Sequence, residues 1–273
     1  MHSFLKGKIV PVASLSDQQR RTMYDLMVNY YDYIRWDKFI EDLEQKQDVI
    51  LLLTKEDNAI KGFSTLMQTE TYVNGRKVRA IFSGDTVVDE AYWGQRVLGR
   101  KFLSYLFVQS IKQPTSPLYW LLISKGYKTY LLMANNFREH YPRHEKATPA
   151  KQQNYIDVFA RELFGDYYSE ETGCCQFPES LGQLKSGVAQ LSDEEINNNP
   201  RINFFLEKNP GWSNGDELVC IARMTWYMPF YYLAKSWWKL VTTQSGKGKL
   251  KPAGNYTANE GSVEDGAGRK YEA

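Results

Sequence analysis

The sequence predicts a mixed α/β domain in which strands and amphipathic helices share one core. Three observations carry this. Runs such as Asp48–Thr54 and Leu118–Ile123 are rich in Ile, Leu and Val and have the length of buried strands. Between them, apolar residues recur at helical spacing. Asn74-Gly75 then stands between two apolar stretches, which is the strongest short-range signal for an antiparallel hairpin.

In chain order, Ile9–Val12 reads as a short first strand. Ser16-Asp-Gln-Gln19 has the form of a capping box, and Met23, Leu26, Met27, Tyr30, Tyr31 and Ile34 follow at helical spacing. Trp36, Phe39, Ile40 and Leu43 mark a second helix. Asp48–Thr54 is a buried strand, Asp57-Asn58 a turn, and Gly62–Thr71 and Val78–Val88 the two arms of the hairpin. A helix from Val97 to Ile111 buries Phe102, Leu106 and Ile111 and stops at Pro114. Leu118–Ile123 is the next strand. Ser124 is placed to cap a helix from Tyr127 to Phe137. Residues 143–200 form a polar insert with one amphipathic helix, on the face of Tyr155, Ile156, Phe159, Leu163 and Phe164. Arg201–Leu206 and Glu217–Met224 read as two closing strands, and Trp226–Val241 as an aromatic helix. Residues 1–243 make one domain, and the composition of 244–273 predicts a disordered tail.

The hydrophobic fraction of 42% and the charged fraction of 24% are those of a folded soluble protein. The aromatic fraction of 14% suits a sizeable core and an apolar ligand groove. A net charge of +2 argues neither for nor against nucleic acid, which is not expected as a partner. Cys174, Cys175 and Cys220 have no disulfide spacing, and the N-terminus has no long apolar run; both fit a cytoplasmic protein. His140 and His144 have ligand spacing, but Pro142 interrupts them, and no metal site is expected.

Val78–Phe107 carries the main functional signal: a strand, a polar turn and an apolar-striped helix that starts among Gln95, Arg96, Gly99, Arg100 and Lys101. A helix start offers unpaired N–H groups and a positive dipole end, so it attracts phosphate. Basic residues there oppose the dipole, which favours an anion-binding role over a merely solvated turn.

The element order, together with Val87-Val-Asp-Glu-Ala-Tyr-Trp-Gly-Gln95, resembles the GCN5-related N-acetyltransferase (GNAT) superfamily over roughly residues 8–140 plus the closing strands. The family turn is Arg/Gln-x-x-Gly-x-Gly/Ala. Arg96-Val-Leu-Gly99-Arg-Lys101 keeps its first two fixed positions and carries Lys101 at the last. The resemblance implies a mixed, mostly antiparallel sheet flanked by helices. It also implies transfer of an acyl group from a pantetheine thioester to an amine. The donor is an acyl-coenzyme A or the phosphopantetheine thioester of an acyl carrier protein; the acceptor is a small molecule, an amino acid or a peptide. By position, Val87 and Val88 would hold the pantetheine arm, and Arg96, Val97, Leu98, Gly99, Arg100 and Lys101 the phosphates.

Asp85, an acid in an apolar strand, is a candidate general base or amine binder, and equally a structural Asp in a Ser-Gly-Asp-Thr bend. Strict alternation puts it on one face with Ser83 and Val87. Glu70 is a second acid. Tyr141 lies near where the family places the tyrosine that protonates the leaving thiolate. The aromatic Trp226–Val241 stretch reads first as a helix docked on the sheet. Its sharper readings are a wall for a long acyl chain, as in fatty-acyl-transferring and peptide-modifying relatives, or a peripheral membrane contact. The alternative to an enzyme is a non-catalytic module that binds an acyl carrier or partner.

Overall fold

The apolar runs assemble into one mixed sheet. A computed structural model describes residues 4–178, 183–184, 199–225 and 227–228. The elements are β1 (Leu5–Pro11), α1 (Asp17–Tyr30), β2 (Tyr31–Asp32), α2 (Trp36–Glu44), β3 (Asp48–Thr54), β4 (Ile60–Val73), β5 (Arg76–Val88), α3 (Val97–Lys112) and β6 (Leu118–Ser124). They continue as α4 (Tyr127–Asn136), β7 (His140–Tyr141), α5 (Ala150–Phe164), β8 (Tyr168–Ser169), β9 (Cys174–Cys175), β10 (Gln183–Leu184), α6 (Pro200–Lys208) and β11 (Glu217–Met224). The sheet order is β1-β3-β4-β5-β6-β11-β9-β8, with β7 also on β11, while β10 pairs with β2. Only β5 and β6 run parallel; the other pairs are antiparallel. This is the mostly antiparallel, helix-flanked sheet that the GNAT-like element order predicts.

Side-chain alternation along the strands divides the core. Ile50, Leu52, Ile81 and Trp120 face α3, α4 and α6. Their neighbours Val49, Leu51 and Phe63 face α1 and α2, and Val78, Ala80, Phe82 and Leu121 face α5. The sheet is thus covered on both sides, and a ligand can reach its centre only where strands part.

Local signals account for most boundaries. Ser16 accepts a bond from the Gln19 N–H and Gln19 returns one to the Ser16 N–H, so the capping box forms. Asn74 and Gly75 both have positive φ, 51° and 73°, as a tight hairpin turn between β4 and β5 requires. Buried Arg79 donates to the carbonyls of Gln109 and Gln113, closing the C-terminal end of α3.

Four expectations are corrected. Arg201–Leu206 is not a strand but lies in α6. Pro200 sits at its first turn, the Asn199 side chain accepts from the Arg201 N–H, and Ile202 and Phe205 are buried one turn apart. Ile111 is 58% exposed, because it lies opposite the buried stripe of Phe102, Tyr105, Leu106 and Gln109. Ser124 does not cap α4; its hydroxyl donates to the Gly126 carbonyl, and Gly126 is the N-cap residue. The first strand starts at Leu5, and Val12 belongs to a 3-10 turn. Apart from residues 227 and 228, the stretch Trp226–Val241 lies outside the described residues, as does the 244–273 tail. Among the described residues no helix is long and apolar enough to cross a membrane.

Candidate active site

The site begins with a defect in β5. Ser83 pairs with Leu66 and Thr86 with Ser64, so Gly84 and Asp85 together oppose the single residue Thr65. Such a bulge bends and twists its strand. Glycine is required there: a Cβ on Gly84 would stand 2.7 Å from Thr65 Oγ1 and 3.1 Å from Lys46 Cε. The bulge also resets the alternation. Ser83 accepts a bond from the Trp120 indole at 2.8 Å, on the face of α3 and α4. Asp85 instead faces the α2 side with Val87, beside Asp42 and Lys46. The shared face expected for Ser83 and Asp85 is thereby corrected.

Beside the bulge the sheet opens. β5 and β6 pair only from Arg79↔Leu118 to Phe82↔Leu121, although β5 runs on to Val88 and β6 to Ser124. The unpaired ends form a wedge, and a cleft of about 2140 Å³ passes through it. The cleft reaches α3 and α4 on one face of the sheet, and α2 and the end of α5 on the other.

On the first face lies the start of α3. Its first turn holds no acid, and Arg96, Leu98, Gly99 and Arg100 line the cleft. Nothing lies within 4 Å of a Cβ built on Gly99, which leaves the backbone accessible there. Among the described residues the guanidinium groups of Arg96 and Arg100 have no hydrogen-bond partner. Val97 and Lys101 do not line the cleft. Val97 is in the core, and the Lys101 stem packs on β1 where Gly7 has no side chain. The residue that departs from the family turn therefore points away from the cleft. The turn is tied down from three sides. Gln95 accepts from the Leu5 N–H at 3.0 Å, the Glu90 N–H donates to the Tyr30 hydroxyl at 2.8 Å, and the Trp93 indole donates to the Val88 carbonyl at 2.8 Å.

The two valines differ. The Asp89 N–H bonds the Lys61 carbonyl, so strand alternation turns the backbone of Val87 toward β4 and that of Val88 toward the wedge. On this same side His140 is 1% exposed and lines the cleft. Its Nδ1 bonds the Phe137 carbonyl at 2.7 Å, and its Nε2 has no partner among the described residues. Burial holds the imidazole down to about 4, so it is neutral, and Nε2 is a buried acceptor.

On the second face stands Asp85. Burial, then the nearby Asp42, pushes its carboxyl up to about 7, against the pull of Lys46. It accepts no hydrogen bond from any described residue. Glu217, at the start of β11, pairs with Lys125 at 3.3 Å and is raised by burial, while Lys46 pairs with Asp42 at 2.6 Å. The two lysines are thus matched by Asp42 and Glu217, and Asp85 is left as the unmatched acid. Burial, then Asp85 and Glu217, push the Tyr31 phenol up, which keeps it protonated in the same pocket.

The other two residues proposed from sequence lie elsewhere. Glu70 is near the hairpin end of β4, exposed and paired with Lys77 at 2.7 Å. Tyr141 is buried in the α5-side core against β11 and does not line the cleft. Sequence reasoning passed over Glu217, Tyr31 and Lys46, and weighed His140 only as a metal ligand. Glu217 carried the signal that marked Asp85, an acid at the head of an apolar strand; the others became significant only once packed against the wedge.

No protein-family model matches the chain, and no curated protein matches it. Among solved structures, a conserved Enterococcus faecalis protein of unknown function, described as a probable N-acyltransferase, aligns with 59% of this chain at 13% identity and a TM-score of 0.38. The alignment spans 45% of that protein, less than half its length. An IAA acetyltransferase from Bacillus cereus aligns with 50% of this chain and 78% of its own, at 12% identity and a TM-score of 0.32. Glucosamine-6-phosphate N-acetyltransferase from Arabidopsis thaliana aligns with 44% of this chain and 81% of its own, at 15% identity and a TM-score of 0.32.

Proposed function

We propose that this chain is an N-acyltransferase that moves an acyl group from a coenzyme A thioester to an amine. One observation carries the reading: a single cleft through the β5–β6 wedge joins a basic helix start on one face to an unmatched acid on the other. The phosphates would sit at the first turn of α3, with Arg96 and Arg100 beside the N–H groups of Leu98 and Gly99. The pantetheine arm would lie in the wedge, where Val88 offers its backbone N–H.

Asp85 removes the proton from the amine, whose nitrogen then attacks the thioester carbon. A C–N bond forms, the C–S bond breaks, and the departing thiolate takes up, through water in the cleft, the second proton that the nitrogen sheds. A base that titrates near neutrality is well matched to this task. The long-chain wall and the membrane contact read from the sequence rest largely on Trp226–Val241, of which only residues 227 and 228 are described, and a peptide acceptor has no separate feature in its favour. A carrier-protein donor has no separate feature in its favour. The proposal therefore takes a coenzyme A thioester as donor and a small amine as acceptor.

The reading is tested by mixing the protein with acetyl-coenzyme A and a primary amine and following free thiol. Amine-dependent thiol release supports it. Failure of any acyl-coenzyme A to bind or turn over rejects it.

A further inference from the structure

The second face of the cleft also bears on which amines fit, if the acyl-transfer reading holds. Beside Asp85 the lining is aromatic. Phe82 and Phe164 rings lie 5.4 Å apart in an edge-to-face contact, and Phe164 and Phe177 rings 6.0 Å apart. Leu163 completes the wall, and Phe82 lies 6.0 Å from the Lys46 ammonium that closes the pocket near the bulge. Leu163, Phe164 and Phe177 pack on the α5-side core but are only partly buried, and each also lines the cleft. The Asp85 carboxylate is without a hydrogen-bond partner among the described residues and stands next to this wall.

A small hydrophilic amine would satisfy the acid and leave the wall in water. A purely apolar ligand would cover the wall and leave the acid unpaired, which is costly. Only a molecule with an amine at one end and an apolar body satisfies both. We propose that the acceptor is a primary amine carried on an aromatic or aliphatic body, its nitrogen at Asp85 and its body against Phe82, Leu163, Phe164 and Phe177.

The test holds the donor at acetyl-coenzyme A and compares 2-phenylethylamine with ethylamine, by turnover and by equilibrium binding of each amine. The expected kcat/KM advantage of 2-phenylethylamine is about tenfold or more, the scale of burying one ring. Phe164→Ala should remove most of that advantage while leaving ethylamine turnover within about twofold, and Phe177→Ala, one ring further along from Phe82, should act in the same direction. Equal kcat/KM for the two amines overturns the inference. So does an advantage that neither variant reduces. Longer acyl donors that lose their preference in Phe164→Ala, with amines undiscriminated, would assign the wall to the acyl chain and reject the proposal. Binding of 2-phenylethylamine that weakens in Phe164→Ala, without turnover from any thioester, would keep the amine site and reject acyl transfer.

Discussion

Asp85 and Lys101 show how much a single residue's meaning depends on its surroundings. Asp85 was legible in the sequence as an acid in an apolar strand, but its face was not. The bulge at Gly84 turns it from the side of Ser83 to the side of Asp42 and Lys46. Lys101 was expected among the phosphate-holding residues, yet its stem lies on β1 over Gly7. Two outcomes separate these roles. Arg100→Ala should raise the KM for an acyl-coenzyme A about tenfold, the scale of a charge-assisted phosphate contact. Lys101→Ala should leave that KM within about twofold, since its side chain does not line the cleft. Steady-state kinetics at fixed amine checks both. Tyr141, chosen for its position along the chain, is absorbed by packing against β11.

At the scale of elements, β5 decides the site. One extra residue opposite Thr65 bends the strand next to the place where its pairing with β6 ends. Gly84→Ala should therefore destabilise the fold by about 1–3 kcal/mol through overpacking against Thr65 and Lys46. It should also reduce donor binding, because the wedge narrows if the bulge is expelled; denaturant titration and calorimetry read the two effects. Strands and helices with a strong period were plain in the sequence: Asp48–Thr54 has the bounds of β3, and Glu217–Met224 those of β11. The helix α6 was not. Its short apolar run Ile202–Leu206 has the length of a strand, and the deciding signal was Asn199-Pro200 just before it. The bulge was equally hidden, since a Gly-Asp pair in a strand does not announce which partner residue it will oppose.

Across the whole molecule, two groups shielded from water, half-buried Asp85 and buried His140, tilt stability with pH in opposite senses. Asp85 titrates at about 7 when folded against 3.8 for an ordinary Asp, so the folded state holds its proton longer and the charging of Asp85 erodes stability as pH rises through that window. His140 titrates at about 4 against 6.5, so the unfolded chain takes up its proton first and stability is lost as pH falls through that range. Asp85→Asn removes the first effect alone. The variant should gain stability over the parent, the gain growing from about pH 4 and levelling above about pH 7, in denaturant titrations across pH. A constant offset would mean that the Asp85 carboxyl is not raised in the folded state. The fold class and the start of α3 could be read from the sequence because both depend on local periodicity. The pairing of a donor seat with an acid across the sheet could not, because it depends on where β5 and β6 stop bonding.

That pairing is the central claim, and the pH dependence of thiol release from acetyl-coenzyme A by Asp85→Asn and its parent tests it most directly. For the parent, kcat/KM for an amine should rise about tenfold per pH unit below about pH 7, with the amine's own ionisation allowed for by comparing amines of different pKa. Asp85→Asn should lose that limb and fall by about a hundredfold or more, while its affinity for the thioester stays unchanged. Undiminished turnover with the same pH limb in Asp85→Asn would contradict the account.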